Sequence, residues 1–133
     1  MSTDQHPLDV VQAAYAAFGQ GDLPAVLRLV ADPVDWKFFG AAGLPYSGSF
    51  RTRDDVGKWF ASIPEVEEIL AFEPREFISA DEHVTVLGWE RTRALSTGKV
   101  FESEWVHVFT VRSGRVVRFW GMYDTEASAK ARI

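Results

Sequence analysis

Cysteine is absent from all 133 residues, which excludes disulfides, thiolate metal ligands and cysteine nucleophiles. That composition suits a reducing compartment, and the expected location is the cytoplasm. Basic charge is scarce as well: 14 Lys plus Arg stand against 19 Asp plus Glu, a net charge of −5. A nucleic-acid binder needs a basic face to neutralise phosphates, so nucleic acid is not an expected partner. No apolar run approaches the ~20 residues of a membrane span, so no membrane partner is expected either. The opening "MSTDQHPLD" has neither a basic nor an apolar segment and does not read as a secretion signal. The three histidines show no ligand spacing and no acidic cluster beside them, so no metal is expected. Internal repeats and low-complexity tracts are missing too.

Aromatic residues, by contrast, are plentiful. They make up 14% of the chain, with five Trp and ten Phe, and point to an aromatic-lined interior or interface. The length fits one domain over residues 1–133, and a domain of that size buries roughly two-thirds of its unfolded surface. In "PLDVVQAAYAAFGQGD", Leu8, Val11, Tyr15 and Phe18 recur at helical spacing behind Pro7. Asp22 caps a second short helix, and Thr52 caps a third that Pro64 closes. Between them, "VDWKFF" reads as a strand, followed by a Gly/Pro/Ser loop holding a short strand near Tyr46 to Phe50. From Leu70 onward, strand-like runs are joined by "STGK" and "RSGR" turns, and Pro74 assigns the first of them to a sheet edge. Asp124 or Thr125 caps a short closing helix. Helices first and an antiparallel meander after make an α+β domain.

One strand poses a question. In "EWVHVFTV", Trp105, His107 and Phe109 share a face, because alternate side chains of a strand point the same way. A histidine at such an inward position is either a hydrogen-bonded core residue or part of a cavity wall, and both readings stay open.

The opening "VVQAAYAAFGQGDL", with its A-F-x-x-G-D-L pattern, and the closing "WVHVFTVRSGRVVRFWGMYDT" carry a family resemblance. The chain resembles the SnoaL-like (polyketide cyclase) branch of the nuclear transport factor 2-like superfamily and is similar to the ketosteroid isomerases. The resemblance implies a cone-shaped curved antiparallel sheet wrapped around N-terminal helices, a deep apolar pocket and a homodimer. It places His107 where the isomerases carry a key acid, which turns Gly88, Glu90 and Thr92 inward on the preceding strand. Lys37 stands where the isomerases have a general-base carboxylate, and Ala14, beside Tyr15, where they have a tyrosine. These departures count against a ketosteroid isomerase. The last strand is ambiguous by one residue. A bulged "RSG" turn sends Val117, Phe119, Gly121 and Tyr123 inward, and this register is adopted.

The expected site is therefore His107, Glu90 and Lys37, within a pocket lined by Tyr15, Trp36, Trp59, Trp105, Phe119 and Tyr123. Tyr15 and Trp59 also read as plain core, and Glu90 with Lys37 as a structural ion pair. The pocket is expected to measure a few hundred Å³, the scale of small-ligand sites. Two functions follow. One is cofactor-free general acid–base chemistry (isomerase, cyclase or lyase) on a small hydrophobic carbonyl compound, with Glu90 poising His107 and Lys37 steadying the enolate. The other is a non-catalytic dimer that binds a hydrophobic molecule. Convergence of Lys37, Glu90 and His107 discriminates between them. Leu87, Trp89, Val106, Val108, Trp120 and Met122 fall on the opposite face, where the dimer would form.

Overall fold

Helix ends form where caps and apolar spacing coincide. The computed structural model of the chain describes residues 6–133; residues 1–5, part of the stretch read for a secretion signal, lie outside it. Helix α1 spans Pro7–Gly19 with proline in its first turn, where the missing N–H has no intrahelical partner to lose. Asp22 caps α2 (Leu23–Arg28) by accepting the Ala25 amide at 3.1 Å. Thr52 caps α3 (Arg53–Val66) through the Asp55 amide at 3.0 Å. Pro64 does not close α3; it sits in the last turn, and the helix runs on to Val66. Asp124 caps α4 (Thr125–Ala131). Among the described residues no helix is long and apolar enough to cross a membrane.

Six strands make one sheet: β1 (Val30–Phe39), β2 (Gly48–Phe50), β3 (Glu67–Ala80), β4 (His83–Ala94), β5 (Val100–Arg112) and β6 (Arg115–Tyr123). Their order is β2-β1-β6-β5-β4-β3. Strand β3, with Pro74 beside a register shift, is an edge strand as its sequence requires. The sheet is mixed, not wholly antiparallel. β1 pairs with β6 in parallel, because the chain crosses over through α3 and the whole meander before returning beside β1. Helix α3 touches β1 and β2 near one edge and β3 at the other, while α1 touches β3 through β6. One layer of helices in contact with both edges means the sheet is bent around them. Val10, Val11, Val56, Val84 and Val86 are fully buried where these layers meet.

The turn before β6 corrects the expected register in its first half. Ser113 and Gly114 both have positive φ (51° and 76°), so the turn is the tight two-residue kind, with Arg112 opposite Arg115. The extra residue is accommodated one step later: Val111 pairs with Val116 and Thr110 with Arg118, leaving Val117 as the bulge. Val116 therefore turns inward in place of Val117, and Phe119 and Gly121 follow it into the interior.

Gly88 turns inward as expected, and the Trp105 indole fills the space that its missing side chain leaves. A Cβ at Gly88 would stand 2.1 Å from the Trp105 ring. Gly88→Ala should therefore destabilise the domain by about 1–3 kcal/mol through overpacking. The expected observation is a lower urea midpoint with an unchanged m-value.

Candidate functional site

The bent sheet leaves a cavity of about 100 Å³ between its concave face and helices α1 and α3. Tyr15, Trp36, Trp59, Trp105, Phe119 and Tyr123 line it, together with Glu90 and His107. It is smaller than the expected few hundred Å³ because aromatic rings fill most of the cone. Phe72, Trp105 and His107 form one stack, with centroids 4.8 Å apart at the first step and 4.0 Å at the second. Trp36 lies against Phe119 at 4.2 Å.

His107 is held by Tyr15, whose hydroxyl lies 2.6 Å from Nδ1. Glu90 does not poise it. Glu90 pairs across the ladder with Phe72 and Ser103, whereas His107 pairs with Val86 and Gly121. Four residues of β4 separate the two rows, about 13 Å along the strand. The Glu90 carboxylate instead accepts the Thr92 hydroxyl at 2.6 Å.

Lys37 is not in the cavity. Side chains alternate along β1, so Trp36 pointing inward sends Lys37 to the convex face. There its Nζ sits 4.6 Å from the centre of the Trp120 ring and 5.7 Å from that of Phe39. The expected ion pair between Lys37 and Glu90 does not exist, and the three residues named for catalysis do not converge.

A polar cluster that the sequence did not announce closes the other end of the cavity. Glu67, at the start of β3, is 6% exposed. It accepts Arg132 Nη2 at 2.7 Å and the Tyr46 hydroxyl at 2.6 Å. Tyr46 in turn meets the Tyr123 hydroxyl at 2.9 Å, and Tyr123 meets Ser128 at 2.8 Å. The only hint of it in the sequence was an aromatic residue, Tyr46, inside a Gly/Pro/Ser loop. No group of three His, Asp or Glu that could hold a metal ion occurs among the described residues.

A family model for the SnoaL-like domain matches residues 11–119. The chain belongs to the SnoaL-like domain family. An NTF2-like protein from Burkholderia xenovorans LB400 is similar in structure, with TM-score 0.85 and 31% identity over 98% of both chains. TerC, co-crystallised with polyporic acid, is similar with TM-score 0.82 and 25% identity, covering 95% of this chain and 97% of its own. An uncharacterised protein of Mycobacterium tuberculosis is 27% identical over 129 residues, which is 97% of each chain.

In this SnoaL-like domain the cavity controls protonation. Burial lowers His107 to a pKa of about 3, so its imidazole is neutral. Burial also pushes the Tyr15 hydroxyl well above its usual range. Glu90 is raised to about 7, first by burial, with the Thr92 hydrogen bond opposing and the charge of Glu67 adding to the rise. The indole N–H groups of Trp36 and Trp105, two residues of the cavity wall, are buried and find no acceptor among the described residues.

These shifts oppose each other in stability. Glu90 contributes fully below its usual 4.5, and that contribution disappears as pH rises through about 7. His107 contributes above its usual 6.5 and loses that contribution as pH falls toward about 3. Between 4.5 and 6.5 the two slopes cancel. Glu90→Gln removes one of them, so its unfolding free energy should rise by about 1.5 kcal/mol more than that of the unsubstituted protein between about pH 5 and pH 6.5. Urea melts of both proteins at the two pH values check this.

Proposed function

We propose that this domain binds a small hydrophobic carbonyl compound between its aromatic walls, with the carbonyl oxygen at the Tyr15–His107 pair. The observation that carries the reading is the 2.6 Å contact between those side chains inside an otherwise aromatic cavity. Both groups are neutral at physiological pH, so the pair is dipolar and suits an uncharged acceptor better than an ion. With His107 Nδ1–H donating to the Tyr15 oxygen, the phenol proton is free for the ligand. The similarity to TerC, co-crystallised with polyporic acid, supports a small organic molecule in such a cavity. Because Lys37, Glu90 and His107 stand apart, binding is preferred over catalysis by that trio. Methyl ethyl ketone, small enough for a cavity of about 100 Å³, tests it: on binding, its carbonyl stretch should move to lower frequency, and Tyr15→Phe should abolish the move. Equal frequencies in both proteins would refute the assignment.

A second reading is favoured by Glu90, a carboxyl with a pKa of about 7 in the same cavity. Such a group is matched to proton transfer near neutral pH, whereas His107 at about 3 is a poor base there. Cofactor-free isomerase, cyclase or lyase chemistry then runs through Glu90. Deuterium exchange next to the methyl ethyl ketone carbonyl should rise as pH passes about 7 and vanish in Glu90→Gln. Absence of exchange in the unsubstituted protein leaves binding as the function.

The same reading includes a homodimer through the convex sheet face. Leu87, Trp89, Val106, Val108, Trp120 and Met122 lie there half-buried, a contiguous apolar surface unusual for a small monomer. Light scattering should give a dimer, and Val106→Glu a monomer; a monomeric parent protein would refute it.

A further inference from the structure

Beside the cavity, between the α1–α2 junction, the last turn of α3 and the start of β3, runs an open groove of about 540 Å³. The two share five wall residues, Phe18, Phe60, Ile63, Glu67 and Ile69, so a single wall lies between them. Their linings differ in kind. The cavity is walled mainly by aromatic rings, whereas the groove adds aliphatic residues: Leu23, Pro64 and Leu95. Leu95 is 49% exposed and forms part of the groove wall. Its backbone is fixed there by the hydrogen bond from its N–H to the Val66 carbonyl at 3.0 Å.

Size decides what this juxtaposition means. A cavity of about 150 Å³ takes one benzene ring, and this one measures about 100 Å³. A carbonyl head with a few carbons fills it, and a longer chain has the groove beyond the shared wall as its nearest apolar space. On that wall the Phe18 ring rests on Phe60 at 5.9 Å and on Phe72 at 5.4 Å. A rotamer change at Phe18 would join the two spaces without moving the sheet.

We infer that the groove is a second subsite, which holds the aliphatic tail of a ligand whose carbonyl head occupies the cavity. The ligand class is thus a head-and-tail carbonyl compound with an unbranched alkyl chain. This rests on the carbonyl reading of the cavity, and it adds Leu95, Leu23 and Pro64 as residues that set chain-length preference. The charged rim is compatible with an uncharged tail, since Glu68 is already paired with Arg93 and Glu67 with Arg132.

Calorimetric titration with methyl ethyl ketone, methyl butyl ketone and methyl hexyl ketone tests the subsite. Each CH2 buried in the groove should tighten binding about fourfold, from ~0.8 kcal/mol per CH2. Leu95→Asp, a change at a half-exposed position, should weaken the hexyl ketone several-fold and leave the ethyl ketone unchanged. Flat affinity along the series overturns the tail subsite while the carbonyl reading survives. A chain-length gain that Leu95→Asp does not reduce sends the tail elsewhere and also overturns it. If even the shortest ketone fails to bind, the cavity reading and the subsite fall together.

Discussion

The hydrogen bond between Tyr15 and His107 joins the helical layer to the middle of the sheet inside a shell of aromatic rings. Both groups are buried, and an imidazole nitrogen stranded in such surroundings carries a desolvation penalty of about 1–3 kcal/mol. The bond therefore fixes how deeply α1 descends into the cone. Its geometry propagates along the helix: Phe18, one turn beyond Tyr15, is carried to the mouth of the cavity. Depth and entrance thus depend on the same contact. The ring stack on His107 sets its plane, nearly parallel to Tyr15 at 5°, so the imidazole is held at its edge by the Tyr15 hydroxyl and on its face by Trp105.

The two-residue period of the strands separates paired from buried charge. Lys37 and Arg118 lie over Trp120 and Arg75 over Trp89 on the convex side, where Asp35 and Glu73 pair with the two arginines. The buried carboxyl groups Glu67 and Glu90 share one wall of the cavity on the concave side. Glu67 has a guanidinium from Arg132 beyond α4, and Glu90 has no ion-pair partner among the described residues. Burial, with the charge of Glu67 adding to it, keeps the proton on Glu90 to about neutral pH.

Much of this was legible in the chain. Caps at Asp22, Thr52 and Asp124, the Pro74 edge and the inward alternation of Trp105, His107 and Phe109 are local signals, read from neighbours in sequence. The family pattern supplied the cone and the membership of six cavity residues. Three things escaped because they are set by distant partners. The parallel docking of β1 against β6 depends on a crossover spanning most of the chain, and no single segment encodes it. Lys37 was placed by analogy with a carboxylate, although Trp36 beside it settles the face. Glu67 and Arg132, 65 residues apart, meet only because α4 folds back onto the start of β3. The bulge at Val117 is intermediate: an extra residue was legible, its position was not.

The distribution of tryptophan gives the molecule a property separate from binding. Of its five indoles, Trp36, Trp59 and Trp105 border the cavity, while Trp89 and Trp120 lie on the convex face. Intrinsic emission is then a sum of two populations that respond to different events. Filling the cavity changes the quenching and polarity felt by the first three, with the neutral His107 ring stacked directly on Trp105. Exposure or covering of the convex face shifts the emission maximum of the other two, each already beneath a cationic side chain. The fold has in effect written two optical reporters into one sheet, one per face, and replacing either set with phenylalanine would let the other be read alone.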